Sequence, residues 1–109
     1  MNKIEEFNVD EFLDKVTETK RIFRQSLEKY GKEPQCRQAM EECAELIQAI
    51  NKCLRYPNKE ECKNNLIEEI CDVEIMLFQL KEMFGITNEA VESYKLLKAK
   101  REQERLEKL

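Results

Sequence analysis

A chain of 109 residues is one domain in length, and its 41% hydrophobic and 39% charged composition supports a single core under an unusually charged surface. Only 2 glycines and 2 prolines are present, which excludes a sheet built from several hairpins and favours long helices. The formal net charge of -4 excludes a general nucleic-acid binder, whose basic footprint is missing.

Histidine is absent, which removes the commonest zinc and iron ligand, the usual general base and every Ser-His or Cys-His nucleophile. Five cysteines (Cys36, Cys43, Cys53, Cys62 and Cys71) form an odd set with no CxxC pair, and they fall mostly on helical apolar positions. Reduced core thiols in a cytoplasmic protein are the expectation. No apolar run approaches 18 residues, and the start of the chain, Met1 to Glu6, is polar and unlike a signal peptide. A soluble protein with no membrane partner follows as the expectation.

Asn8 or Asp10 is suited to cap a first helix that runs to about Tyr30 and stops at Gly31. Its apolar positions are Phe12, Leu13, Val16, Phe23 and Leu27. The remaining face is mixed charge, with Glu5, Glu6 and Lys20 able to approach a neighbouring site.

Pro34 suits the first turn of a second helix reaching about Arg55, where Tyr56-Pro57 ends it. At 100° per residue, Cys36, Met40, Cys43, Ala44, Ile47, Ile50 and Leu54 form an apolar stripe. Glu41, Glu42 and Glu45 occupy the remaining arc, Glu42 nearest the stripe. Ala49 extends the acidic row with a small side chain.

Asn58 followed by Glu61 reads as a capping box opening a third helix that ends at Phe84 before Gly85. That helix carries two apolar stripes, one of Leu66, Ile70, Val73, Leu77, Leu80 and Phe84, the other of Ile67, Cys71, Ile75 and Phe78. It is expected to be largely buried. Glu69, Asp72, Met76 and Gln79 fill one wedge between the stripes, and two carboxylates on a central helix are costly unless something positive meets them.

Thr87 caps a fourth helix from about Asn88, with Val91, Tyr94, Leu97 and Leu106 inward and Lys95, Lys98, Lys100, Arg101 and Arg105 on a basic surface. Beyond Ala99 the pattern is almost wholly charged, as in a frayed, solvated or partner-contacting helix. The expected organisation is a single all-α domain over residues 1–109, with a motif region at 35–80 and a basic C-terminal helix at 88–109.

The second and third helices each carry an acidic cluster, Glu41 to Glu45 and Glu68 to Glu74. Carboxylates three residues apart on a helix lie about 60° apart, on one face. Oxygen ligands from two neighbouring helices, with no nitrogen or sulfur among them, suit a hard cation, Mg²⁺ or its substitute Mn²⁺. Di-iron bundles are disfavoured, because they pair Glu with a His three residues on. Mg²⁺ usually keeps waters and binds substrate phosphates, so the cluster points to phosphate chemistry with water as nucleophile.

In its arrangement of Gln35, then Glu41-Glu42-Cys43-Ala44-Glu45-Leu46-Ile47, then Glu68-Glu69-Ile70-Cys71-Asp72-Val73, the chain resembles the MazG-like all-α nucleoside triphosphate pyrophosphohydrolases. Their mark is ExxE on one helix and ExxD on the next. The likeness covers roughly Gln35 to Leu80 and reaches the flanking helices only by position. It implies a four-helix, bundle-like fold assembled as a homodimer or homotetramer. It also implies Mg²⁺-dependent cleavage of a nucleoside triphosphate between its α and β phosphates.

By this resemblance Glu42, Glu45, Glu69 and Asp72 are the metal ligands, and Glu45 or Glu41 is the base that aligns or deprotonates water. Lys98, Arg101 and Lys95 match the basic residues that family members set against the phosphates. The chain departs from longer members in having no second catalytic half. No aromatic side chain lies on the metal face to stack a base, which leaves Tyr30, Tyr56, Phe12 or Phe23 for that task, with Gln48 and Asn51 as polar readers. Two other readings fit the same residues: a helical interaction module whose acids pair with a partner's lysines, and a phosphoribosyl-ATP pyrophosphatase.

Overall fold

The computed structural model describes residues 8–109, all helix and short turns. The four helices are α1 (Val9–Tyr30), α2 (Lys32–Arg55), α3 (Glu60–Phe84) and α4 (Asn88–Glu107). Glu5 and Glu6, expected near a site, lie outside the described residues.

The helix ends follow local chemistry. Asn8 Oδ1 accepts from the Glu11 amide at 3.0 Å and Thr87 Oγ1 from the Ala90 amide at 3.1 Å, each satisfying an amide that the first turn leaves without a partner. Gly85 closes α3 in the left-handed region, at φ 63° and ψ 36°, and the Ile86 amide then reaches back to the Lys81 carbonyl at 2.9 Å. One residue, Gly31 at φ 91°, suffices to separate α1 from α2. The expected Asn58 capping box does not form. Lys59 is the N-cap of α3 and offers no side-chain acceptor, so the helix opens without that support.

α2 and α3 form an antiparallel hairpin that makes the principal contact of the chain, and α1 lies across both. The buried side chains of the hairpin are Gln35, Ala39 and Ala49 on α2 and Met76 and Gln79 on α3. The small side chains let the two backbones approach closely. The wedge of α3 that carries Glu69 and Asp72 therefore faces α2.

The expected burial is met only in part, with Cys36 of the α2 stripe and Leu66, Val73, Ile75, Phe78 and Leu80 of the α3 stripes half-buried. Met40, Ile47 and Leu54 of the α2 stripe are 65%, 68% and 77% exposed. On α3, Ile67, Ile70, Leu77 and Phe84 are exposed as well, so the helix is not largely buried within one chain. Phe12, Leu13 and Val16 of α1 are also exposed, with Phe23 and Leu27 half-buried. Amphipathic spacing identifies a face that can leave water, whereas the neighbour that covers it is decided by tertiary packing. Cys43 and Cys71 are exposed rather than core thiols, and all five cysteines are free.

α1 is held by specific bonds. Gln79, 1% exposed, donates from Nε2 to the Phe23 carbonyl at 2.8 Å and accepts at Oε1 from Gln35 Nε2 at 2.8 Å. Arg24 reaches Glu82 at 3.1 Å and lies 5.4 Å from the centre of the Phe78 ring. α4 leaves this three-helix unit after Gly85 and packs along none of its members. Lys81 Nζ to Asn88 Oδ1 at 3.3 Å ties its first turn to the end of α3. Tyr94, Leu97 and Leu106, expected to face inward, are exposed.

Replacing Gln79 with Leu removes both bonds and leaves the Gln35 amide buried without an acceptor. The expected cost is about 1–3 kcal/mol. Urea denaturation checks this as a lower midpoint with an unchanged slope.

Candidate metal centre

Midway along the α2–α3 hairpin, carboxylate oxygens of Glu42, Glu69 and Asp72 converge within 4.8 Å of one another. All three residues are half-buried. The convergence follows from packing, because the acidic line of α2 and the acidic wedge of α3 flank the small and polar residues through which the hairpin closes.

The cluster has no cation of its own. Among the described residues, every ion pair involves other carboxylates. Glu42 Oε2 and Glu69 Oε2 are shielded from water and have no hydrogen-bond partner among the described residues. Gln38 supplies a donor to the group, its Nε2 lying 2.7 Å from Glu42 Oε1. Orphaned carboxylate oxygens in such a place are costly, and a bound cation removes the cost. Oxygen ligands at about 2.1 Å from an octahedral Mg²⁺ lie about 3.0 Å apart when cis and about 4.2 Å when trans, so the trio, within 4.8 Å of one another, would draw closer around the ion. The donor set of oxygens alone fits a hard cation.

Burial raises the Glu42 carboxyl above the usual carboxylate range. The Gln38 amide opposes the shift, while the charges of Glu45 and Asp72 and a hydrogen bond that the protonated Glu42 carboxyl makes to Asp72 add to it.

Three of the four expected ligands, Glu42, Glu69 and Asp72, are thus brought together. Glu45 stands one turn from Glu42, exposed and outside the trio, although its charge acts on Glu42. Glu41 is exposed to solvent. Lys95, Lys98 and Arg101 line one face of α4 with Glu102 and Arg105, away from the trio's helices, and Lys95 pairs with Glu92 of its own helix at 3.1 Å. Gln38 was not among the expected site residues. Its i, i+4 spacing from Glu42 is the sequence signal for the contact. No protein-family model, no curated protein and no solved structure matches this chain.

The raised Glu42 carboxyl binds its proton more tightly in the folded chain than in the unfolded one. It therefore costs the metal-free fold stability as pH climbs through its titration range, and that cost disappears on acidification. Glu42→Gln removes the cost. In chelator-treated protein at neutral pH the expected outcome is a thermal midpoint several degrees above wild type, with the gap closing toward acid pH.

Proposed function

We propose that this chain is a Mg²⁺-dependent nucleoside triphosphate pyrophosphohydrolase that cleaves between the α and β phosphates to give the monophosphate and pyrophosphate. The observation that carries the reading is the convergence of Glu42, Glu69 and Asp72, with two buried oxygens that lack any donor. The spacing of those residues as ExxE and ExxD on successive helices supports it by resemblance.

In this reading Glu42, Glu69 and Asp72, with Glu45 at the solvent edge, hold the metal. When bound, magnesium supplies Lewis acidity toward phosphate oxygens and toward water. Glu45, exposed beside the trio, accepts the proton of the attacking water, with Glu41 as the second candidate for that role. Lys95, Lys98 and Arg101 bind the phosphates once α4 is packed down, on its own chain or on another. Mn²⁺ substitutes for Mg²⁺ in such an oxygen site.

A homodimer or homotetramer belongs to the proposal. The radius of gyration is 18.2 Å, against about 13 Å for a compact domain of this size. The exposed apolar faces of α2 and α3 are broad enough to seat further helices. Light scattering at micromolar concentration is expected to report two or four chains, and a monomer would count against the assembly.

The same exposed faces favour a second reading, a helical interaction module. Incubation with each nucleoside triphosphate and Mg²⁺, with phosphoribosyl-ATP assayed alongside, separates the readings, since the module releases no pyrophosphate. The enzyme is expected to release it, and Glu42→Gln and Asp72→Asn to lower the rate more than about 100-fold, beyond the usual effect of a residue that only supports a ligand. Activity that survives both substitutions would remove the site from the proposal.

A further inference from the structure

Gln38 lies one helical turn before Glu42 on α2 and is half-buried beside it. Its amide donates to Glu42 Oε1 at 2.7 Å, while Glu42 Oε2 is shielded from water. The two oxygens of one carboxylate are therefore already divided. One accepts from a neutral donor, and the other, shielded from water, makes no hydrogen bond among the described residues.

From this division we infer that Gln38 is a positioning residue for the cation site, fixing the Glu42 carboxylate so that Oε2 alone serves as its ligand atom. The inference rests on the reading of Glu42, Glu69 and Asp72 as a metal centre. An amide suits the task better than lysine or arginine would. It holds the carboxylate through a directed hydrogen bond without bringing a positive charge that would compete with the metal. A half-buried side chain fixed at one oxygen also loses less rotational freedom when the second oxygen binds. Donors that orient ligands in this way contribute to affinity without touching the metal. Without Gln38, Glu42 is free to turn both oxygens toward solvent or toward the cation.

The test measures Mn²⁺ uptake on the full chain by the loss of the free-ion electron paramagnetic resonance signal, with no nucleotide present. Gln38→Met keeps the length of the side chain and its helix preference but removes the donor, and Gln38→Ala removes donor and bulk together. Both are expected to bind Mn²⁺ about 10-fold more weakly than wild type, the lower end of the effect of losing a residue that orients a ligand. The number of ions bound and the helical circular dichroism should stay unchanged. A merely structural i, i+4 pair would lower the thermal midpoint and leave Mn²⁺ affinity alone. Wild-type affinity in a folded Gln38→Met chain would overturn the role of Gln38 and leave the metal centre standing. A wild-type chain that takes up no Mn²⁺ would overturn both.

Discussion

Like charges gathered without a counter-charge among the described residues set the terms for the rest of this fold. α2 and α3 meet through small and polar side chains, Gln35, Ala39 and Ala49 against Met76 and Gln79, and the same approach brings Glu42 to Glu69 and Asp72. Repulsion and lost hydration oppose the approach, and close packing beside the alanines together with the Gln35–Gln79 bond holds it. The hairpin thus holds three carboxylates together at its middle. The proposed enzyme uses that convergence, since a site that is costly when empty binds its cation with the energy it recovers.

The division of labour along the hairpin is sharp. Polar residues face inward at Gln35, Glu42, Glu69, Asp72 and Gln79, and apolar ones such as Ile47, Leu54, Ile70 and Leu77 face outward. In a single chain this distribution leaves a large share of the apolar side chains of α2 and α3 in contact with water. Assembly supplies the missing burial in the proposed reading and leaves the polar seam of each hairpin intact.

Helix positions were legible in the sequence because their signals are local. Asn8, Gly31, Gly85 and Thr87 act within one turn, and each marks the boundary it was expected to mark. Asn58 failed for an equally local reason, since α3 begins one residue later, after Lys59. The carboxylate cluster was legible through spacing, except that Glu45 shares a helix with Glu42 and not a place in the trio. Burial was legible only in part, as at Phe23, Leu27, Leu66 and Val73. Periodicity places Met40, Ile47 and Leu54 on one stripe but carries no record of which helix covers it, and here the narrower line of Ala39 and Ala49 faces α3. The position of α4 depends on contacts beyond its own sequence, which its cap and charge pattern do not encode.

The fourth helix has 20 residues, and Tyr94, Leu96 and Leu106 lie open along it. A helix draws most of its stability in a protein from packing an apolar face against neighbours, and α4 stands without that support. Exposed pairs such as Lys95 with Glu92 and Arg105 with Glu102 contribute little each. In the proposed assembly the order of α4 is coupled to whatever it touches, so that amide exchange along it, like that of the α2–α3 seam whose outer faces the assembly covers, should slow with rising protein concentration. In the proposed assembly the segment beyond Gly85 acts in that sense as a built-in reporter of association.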